Sequence, residues 1–165
     1  MGCVKVVVLG PEAVGKTAIV IRLVNKTFQE RYDPTIEDCF QTVRTVRDKT
    51  LRIDILDTAG QDAFASVKQQ YMISGNGFLM VYSIISKDSF DRCKESVDML
   101  LKIRDSNVPW LLVGNKCDLA SLREVETSTA AEYAQSMGAI QSFEVSAKEN
   151  VNVEDALLTL EIGRA

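Results

Sequence analysis

The chain has 165 residues, and a hydrophobic fraction of 46% with 25% charged residues is typical of one globular domain with a buried core. Its 19 basic and 23 acidic side chains leave a net charge of −4, which argues against a general nucleic-acid-binding role, because nucleic-acid phosphate would be repelled. The sequence contains no histidine, so histidine catalysis, histidine metal sites and Ser-His-Asp triads are excluded.

The first half of the chain has the pattern of a strand, a loop, a helix and then a hairpin. The run Cys3–Leu9 is short, apolar and rich in valine, which predicts a strand buried on both faces. Apolar residues at helical spacing predict a helix over Lys16–Val24. Two strand-like runs, Asp38–Val46 and Leu51–Leu56, are separated by residues 47–50, which predict a hairpin turn.

The second half alternates between strands and helices. Three more runs have the composition of strands: Gly77–Ser83, Trp110–Gly114 and Ser142–Val145. Between the first two, Ser89–Arg104 carries the apolar face of a helix. Thr127 is predicted to cap a helix that ends near Gly138, and Asn152 with Asp155 predicts a capping box for a final helix.

This alternation predicts the fold class. Strands that alternate with helices form a mostly parallel sheet covered on both faces, so we expect a three-layer α/β fold. The sheet would have six strands, one of them an antiparallel edge strand because of the hairpin. Ligands of such sheets bind beyond the carboxyl ends of the strands, where all of the motifs below fall.

The segment Gly10–Thr17, GPEAVGKT, fits the phosphate-binding pattern GxxxxGK[ST] between a strand and a helix. Its backbone N–H groups and the helix N-terminus would form an anion nest. Gly15 would let the backbone approach the ligand, Lys16 would reach the outer phosphates, and the hydroxyl of Thr17 could bind Mg²⁺. ATPases, kinases and GTPases share this pattern.

A second motif, Asp57–Gln61 (DTAGQ), directly follows a predicted strand. The carboxylate of Asp57 could hold the metal through water, as a hard oxygen ligand. Gly60 has no side chain to block its amide from a terminal phosphate, and Gln61 could orient the attacking water. In isolation such a segment is equally consistent with an ordinary turn.

A third motif, Asn115–Asp118 (NKCD), indicates recognition of guanine. The carboxylate of Asp118 can accept both N1–H and the 2-amino group of guanine, whereas adenine would leave this carboxylate without a partner. Asn115 would tie neighbouring loops together, and the stem of Lys116 can lie over the base.

The fourth motif, Ser146-Ala147-Lys148, follows the last predicted strand. The backbone N–H of Ala147 can reach O6 of guanine. Alone, this segment would be read as a helix-capping turn. Together the four motifs occur in a fixed order at strand ends, which indicates a guanine-nucleotide site.

With these motifs in place, the chain resembles the Ras superfamily of small GTPases, and within it the Ras/Rap branch. The resemblance extends over essentially the whole chain and includes Tyr32–Asp38 (YDPTIED), which is similar to the Ras-type effector loop. It also includes Gln70–Met72 and Gly77–Tyr82. The resemblance implies the P-loop NTPase fold of small G proteins, with residues 1–165 as a single G domain.

The resemblance also implies roles for individual residues. Phe28 would pack on the guanine base, Tyr32 would close over the phosphates, and Thr35 would bind Mg²⁺ when the γ-phosphate is present. The implied catalytic residues are Gln61, Lys16, Thr35 and Gly60, and the implied metal ligands are Thr17, Thr35 and Asp57. The implied nucleotide-binding residues are Gly10, Glu12, Ala13, Val14, Gly15, Lys16, Thr17, Ala18, Phe28, Tyr32, Pro34, Thr35, Gly60, Asn115, Lys116, Asp118, Ser146, Ala147 and Lys148.

The resemblance further implies a monomeric switch that cycles between GTP and GDP and hydrolyses GTP slowly, by in-line attack of water. Because the chain offers no evident internal arginine finger, we expect it to need a GTPase-activating protein, together with a guanine-nucleotide exchange factor. Effector proteins are expected to bind residues 32–40 and to add a strand to the exposed edge of the sheet.

A cytoplasmic location is expected from the cysteines, which show no metal-binding spacing and are predicted to be reduced thiols. The sequence has no apolar run long enough to span a membrane. It ends at Ala165 without a C-a-a-X box, so the C-terminal lipidation tail of the family is absent from it. Attachment to the cytoplasmic face of the plasma membrane is therefore expected only of a longer, prenylated form.

Glu12 and Ala13 depart from the family, which usually has glycine at the first position and often at the second. A carboxylate about 7 Å from a phosphate charge would cost about 2 kcal/mol per unit charge at an effective dielectric constant near 20, and about a quarter of that in solvent. We expect Glu12 to lie outward, with nucleotide binding intact and activator-stimulated hydrolysis weakened. The alternative is that Glu12 is tolerated on the surface without any effect on hydrolysis. Two alternatives stay open: a GTP-bound interaction module with negligible hydrolysis, and an ATP-using P-loop enzyme.

Overall fold

A computed structural model describes residues 2–25, 37–58, 65–105 and 107–164. In these ranges strands and helices alternate, apart from one hairpin. The strands are β1 (Gly2–Leu9), β2 (Glu37–Val46), β3 (Lys49–Thr58), β4 (Gly77–Ser83), β5 (Trp110–Asn115) and β6 (Ser142–Glu144). The helices are α1 (Lys16–Asn25), α2 (Ala65–Ser74), α3 (Lys87–Arg104), α4 (Thr127–Ser136) and α5 (Val153–Arg164), with a 3-10 helix over Cys117–Leu122.

The strands form one sheet in the order β2-β3-β1-β4-β5-β6. β1 pairs in parallel with β3 on one side and with β4 on the other, and the pairs β4–β5 and β5–β6 are also parallel. The edge strand β2 is antiparallel to β3. The predicted fold class is therefore confirmed: an α/β fold whose six-stranded sheet is mostly parallel, with one antiparallel edge strand.

Helices cover both faces of the sheet because the central strand β1 is apolar on both of its faces. Val4, Val6 and Val8 pack into one layer together with α1 and α5. Val7 and Leu9 pack into the opposite layer, which contains residues of α2, α3 and α4. Alternate residues of a strand face opposite sides, so a strand buried on both faces needs an unbroken apolar run.

The hairpin between β2 and β3 is tighter than the sequence predicts. Residues 49 and 50 already belong to β3 and pair with Val46 and Thr45, so the loop consists of Arg47 and Asp48 alone. Both have left-handed backbones, with φ of 51° and 64°. This is the conformation of a type I′ turn, whose twist matches the right-handed twist of the two strands.

Neither of the two side chains predicted to cap a helix is recorded as doing so, and both for the same reason. α4 begins at Thr127, but its N-cap residue is Glu126, and the Thr127 hydroxyl donates to the carboxylate of Glu144 at 2.9 Å. Asn152 has a φ of 59° instead of the extended backbone of a capping residue, and its side-chain amide donates to the Glu144 carbonyl at 3.0 Å. Both side chains therefore bind β6 instead of their own helix.

Helix α2 was not predicted. Its sequence, ASVKQQYMIS, has no apolar stripe at helical spacing, and within residues 68–74 Met72 alone is buried. Met72 lies in the same apolar layer as α3, so tertiary packing supports a helix that the local pattern does not indicate. Among the described helices, none combines the length and the apolar character needed to cross a bilayer.

Candidate functional site

The four motifs meet at the edge of the sheet formed by the carboxyl ends of the parallel strands. Gly10 directly follows β1, Asp57 is the penultimate residue of β3, Asn115 ends β5, and Ser146 comes two residues after β6. The sheet therefore gathers segments that are far apart in the sequence at the place where α/β proteins bind ligands.

Lys16 provides a buried positive charge at this edge. It is the first residue of α1 and only 6% exposed, and its Nζ donates to the carbonyl oxygen of Gly10 at 2.6 Å. Burial lowers the pKa of Lys16 from 10.5 to about 8, and the negative charge of Asp57 partly opposes this shift. A cation that has lost hydration beside a helix N-terminus attracts an anionic ligand strongly.

Thr17 and Asp57 form a pair of oxygen donors beside Lys16. The Thr17 hydroxyl donates to Oδ2 of Asp57 at 2.5 Å, and Asp57 is 1% exposed. Hydroxyl and carboxylate oxygens are the hard ligands that Mg²⁺ prefers. The chemistry of this donor set therefore fits the metal that the sequence predicts.

Glu12 and Ala13 form the outer part of the phosphate loop, and both are exposed. Ala13 has a φ of 61°, a left-handed conformation that glycine adopts freely and that strains a residue with a Cβ atom. The carbonyl of Ala13 accepts a hydrogen bond from Nζ of Lys116 at 3.0 Å. The charge of Glu12 is a minor influence that raises the pKa of Lys16, so its carboxylate acts on this lysine through space.

Asn115 joins the phosphate loop to the segment that follows β6. Its Nδ2 donates to the carbonyl of Val14 at 2.9 Å, and its Oδ1 accepts the backbone N–H of Ala147 at 3.2 Å. Asn115 is 3% exposed. At Gly15, where φ is 94°, an added Cβ would come within 2.2 Å of Nδ2 of Asn115, so only glycine leaves room for this bridge.

Asp118 is held by the segment that follows β6. The hydroxyl of Ser146, which is fully buried, donates to Oδ1 of Asp118 at 2.8 Å and accepts the backbone N–H of Glu149 at 2.9 Å. The Asp118 side chain is exposed, so a ligand can approach it. The preceding Lys116 has a left-handed backbone, with φ of 70°, where the chain turns from β5 into the 3-10 helix.

Arg22 is a contributor that the sequence reasoning missed. Its Nε donates to the carbonyl of Ala147 at 2.8 Å and its Nη2 to the carbonyl of Lys148 at 3.0 Å. The sequence signal was a single arginine between apolar residues of α1, which usually indicates the solvent side of a helix. Its partners lie more than a hundred residues further along the chain, so no local pattern identifies them.

Several predicted site residues lie outside the described residues. These are Phe28, Tyr32, Pro34, Thr35, Gly60 and Gln61. The predicted effector segment 32–40 is described from Glu37 onward as the beginning of β2. Of the remaining predicted residues, Val14 is buried, Ala18 is half-buried in the first turn of α1, and Lys148 is exposed.

The comparisons with known proteins agree with this geometry. A sequence model of the Ras family matches residues 5–162. The chain is 43% identical to the Ras-like protein rasB of Dictyostelium discoideum over 152 residues, which cover 92% of this chain and 77% of that protein. It is also 43% identical to the Ras-like protein rasS of the same organism over 157 residues, 94% of this chain and 80% of the relative. The chain therefore belongs to the Ras family of small GTPases, which bind guanine nucleotide and act as GTP-hydrolysing switches.

Proposed function

We propose that this edge of the sheet binds GTP and GDP together with Mg²⁺, with the phosphates on Gly10–Thr17 and the guanine base against Asp118 and Ala147. The observation that carries the proposal is the bridge made by Asn115 between Val14 and Ala147. One buried side chain holds the two halves of the site together, so that a single ligand can contact both.

The phosphate half supplies positive charge and hard oxygen donors. The desolvated ammonium group of Lys16 regains favourable interactions when a phosphate replaces part of its lost hydration. Thr17 and Asp57, with Thr35 added from the family resemblance, would hold Mg²⁺. When bound, the metal ion neutralises negative charge on the phosphate oxygens.

The base half selects guanine. Asp118 accepts one hydrogen bond from Ser146 and keeps acceptor capacity for the N1–H and 2-amino groups of guanine. The N–H of Ala147 makes a long hydrogen bond of 3.2 Å to Asn115, which O6 of guanine can share. Adenine offers none of these partners, so it would leave desolvated polar groups unsatisfied.

The test of this assignment is Asp118→Asn. The asparagine amide offers one acceptor and one donor, so it can accept N1–H and donate to the 2-oxo group of xanthine but cannot accept both N1–H and the 2-amino group of guanine. GDP affinity should therefore fall about 100-fold while XDP affinity rises. Equilibrium binding of both nucleotides with Mg²⁺ present measures the change. Asp155→Asn, at an exposed carboxylate of α5, is the matched control. A variant that still prefers GDP would overturn the assignment.

Glu12 concerns hydrolysis more than binding. The side chain of Glu12 is exposed, so water screens the repulsion between its carboxylate and the phosphates. This repulsion costs about 0.5 kcal/mol per unit of phosphate charge, which nucleotide binding tolerates. Hydrolysis is more sensitive, since a misplacement of about 1 Å in the reacting groups can cost about 100-fold in rate. We propose that Glu12 crowds Gln61 or an incoming arginine and so weakens stimulation by an activating protein.

Measuring GTP turnover with and without a Ras-type activating protein, for the natural chain and for Glu12→Gly, tests this second proposal. Equal stimulation of the two proteins would refute it. The exposed Glu12 and the strained Ala13 also favour a second candidate function, a GTP-bound interaction module with negligible hydrolysis. A single-turnover measurement of intrinsic hydrolysis decides between the two candidates.

Partners are proposed from the family and from β2. In the described sheet β2 pairs with β3 alone, so its outer edge is available for strand addition by an effector. Val43 on this strand is 52% exposed. An exchange factor and an activating protein would complete the cycle, and attachment to the cytoplasmic face of the plasma membrane is proposed from the family alone.

A further inference from the structure

Arg22 connects α1 to the base half of the site. Its guanidinium group donates to two consecutive carbonyl oxygens, those of Ala147 and Lys148, at 2.8 and 3.0 Å. A planar guanidinium presents N–H groups in a fixed fork, so two bonds to neighbouring carbonyls restrain the orientation of both peptide planes. A lysine ammonium has all of its N–H donors on one nitrogen atom, so it cannot impose the same orientation.

The restrained segment carries the groups that we propose to contact the guanine base. The same Ala147 whose carbonyl binds Arg22 donates its N–H to Asn115, and the adjacent Ser146 holds Asp118. Ala147 is 2% exposed. Movement of the peptide planes after Ala147 would therefore displace both the N–H offered to the base and the support of the Asp118 carboxylate.

The other end of this connection is the phosphate loop. α1 begins at Lys16, and Arg22 lies six residues further along the same helix, a distance of about 9 Å along its axis. A helix transmits position along its axis because its backbone is rigidly hydrogen-bonded. The phosphate loop and the base segment are thus joined twice, directly by Asn115 and through α1 by Arg22.

We infer that Arg22 is a positioning residue that controls how long guanine nucleotide stays bound, because it holds residues 147–148 in the orientation that presents the Ala147 amide to the base. This inference rests on the proposed nucleotide site. Without the Arg22 guanidinium, the carbonyls of Ala147 and Lys148 must be solvated and residues 147–148 can move. This movement weakens the contacts to the base more than the contacts to the phosphates.

The experiment measures dissociation of fluorescently labelled GDP from the full chain. Arg22→Ala should release GDP about tenfold faster, as expected for the loss of one net hydrogen bond to the base, and Arg22→Lys should give an intermediate rate. A second measurement compares GDP with 6-thioguanosine diphosphate, which keeps N1–H and the 2-amino group but replaces O6 with sulfur, a weaker acceptor. The natural chain should hold GDP more tightly, and Arg22→Ala should reduce this difference, an effect that general destabilisation would not produce.

Arg44→Ala is the matched control. Arg44 also binds α1, through the carbonyl of Leu23 at 2.7 Å, but its other main partner is the carboxylate of Glu154 in α5 and not a carbonyl of residues 147–148. It should lower thermal stability and leave GDP release within about twofold of the natural chain.

Three results would overturn the inference. Arg22→Ala could release GDP at the same rate as the natural chain, it could keep the same preference for O6, or Arg44→Ala could release GDP as fast as Arg22→Ala does. In each of these cases the proposed nucleotide site would still stand. A natural chain that fails to retain GDP would refute the proposed function itself, and the inference with it.

Discussion

The phosphate end of the site, Gly10–Thr17 with Asp57, and the base end, Asn115–Asp118 with Ser146–Lys148, are built in different ways. Most of the phosphate end is one continuous loop. Its bond from Lys16 to Gly10 spans six residues, and the bond from Thr17 to Asp57, which spans 40, reaches outside the loop within this end. The base end consists of separate segments, and the bonds that join these segments to one another, to α1 and to the phosphate loop span 28 to 126 residues. Local backbone conformation therefore shapes the first end, and packing of the whole sheet shapes the second.

The two ends also differ in their charges. The phosphate end contains the buried cation of Lys16, whose pKa is lowered by burial. The base end exposes the carboxylate of Asp118, and Glu144, the last residue of the strand β6 that leads into Ser146, is paired with Arg123. Under the proposed assignment, the phosphate end would gain most from an anionic ligand, whereas the base end would mainly contribute selectivity.

The largest effect should come from a change that damages both ends at once. In Gly15→Ala the new Cβ would overlap Nδ2 of Asn115, so the bridge to Val14 must break, and the left-handed backbone at position 15 becomes strained. We expect GDP affinity to fall about 100-fold or more, from the lost buried hydrogen bond plus the strain. Isothermal titration with Mg²⁺ present measures this loss.

Its control is Gly138→Ala. Gly138 is also left-handed, with φ of 83°, but it is exposed and follows α4. The Gly138→Ala substitution should lower the free energy of unfolding by about 1–2 kcal/mol through backbone strain and leave GDP affinity unchanged. If Gly15→Ala bound GDP as tightly as Gly138→Ala, the two ends would not be coupled through Asn115.

A smaller effect is expected from removing the charge of Glu144, which ends β6 just before the base end. Arg123 donates two hydrogen bonds to Glu144, at 2.6 and 2.8 Å, and Thr127 donates a third. These bonds, mainly those from Arg123, hold the pKa of Glu144 below its usual 4.5. Glu144→Gln should therefore lower the free energy of unfolding by about 1–2 kcal/mol at neutral pH.

The pH dependence of this loss has a definite sign. A lowered carboxyl pKa contributes stability that is fully present above the usual value and disappears as the pH falls through the lowered one. The difference in unfolding free energy between the natural chain and Glu144→Gln should therefore shrink as the pH falls below about 4.5. Urea unfolding from pH 7 to pH 3 measures it, with Glu149→Gln, an exposed neighbour, as control. A constant difference would mean that ionisation of Glu144 is not the cause.

The smallest effect is expected at Ala13, in the exposed outer part of the phosphate loop. Ala13→Gly relieves left-handed strain of about 1–2 kcal/mol and costs about 0.5–1 kcal/mol in backbone entropy. The net gain in stability should be about 0.5 kcal/mol, measured by urea unfolding of the nucleotide-free protein. Ala131→Gly, on the exposed side of α4, should instead cost about 1 kcal/mol. Similar losses in both variants would show that position 13 is not strained.

Much of the fold was predictable because it depends on local patterns. The apolar run of β1 and the phosphate motif that follows it identified the strand, loop and helix, and all six strands were found within a few residues of their bounds. Helix α2 was missed because its apolar contacts come from α3 and not from a stripe of its own. Thr127 and Asn152 were misjudged as caps because their side chains bind β6 instead.

The candidate site shows the same division. Residue types and spacing were sufficient to place Lys16, Thr17, Asp57, Asn115 and Asp118 together, since each stands at the end of a predicted strand, just after it, or in the first turn of the helix that follows. No pattern in α1 indicated that Arg22 binds the segment after β6, because that bond exists only once the helix has packed beside it.

By itself, the sequence determined the order of the strands and of every described α-helix except α2, and it placed the glycine-rich loop after β1, because hydrophobic spacing and glycine placement act over a few neighbouring positions. The tertiary structure alone decided that Lys16 is buried with a lowered pKa, that Asn115 bridges two loops and that Arg22 holds a third segment. Desolvation and long-range hydrogen bonds depend on which surfaces the folded sheet brings together, and this information is not contained in any short stretch of the chain.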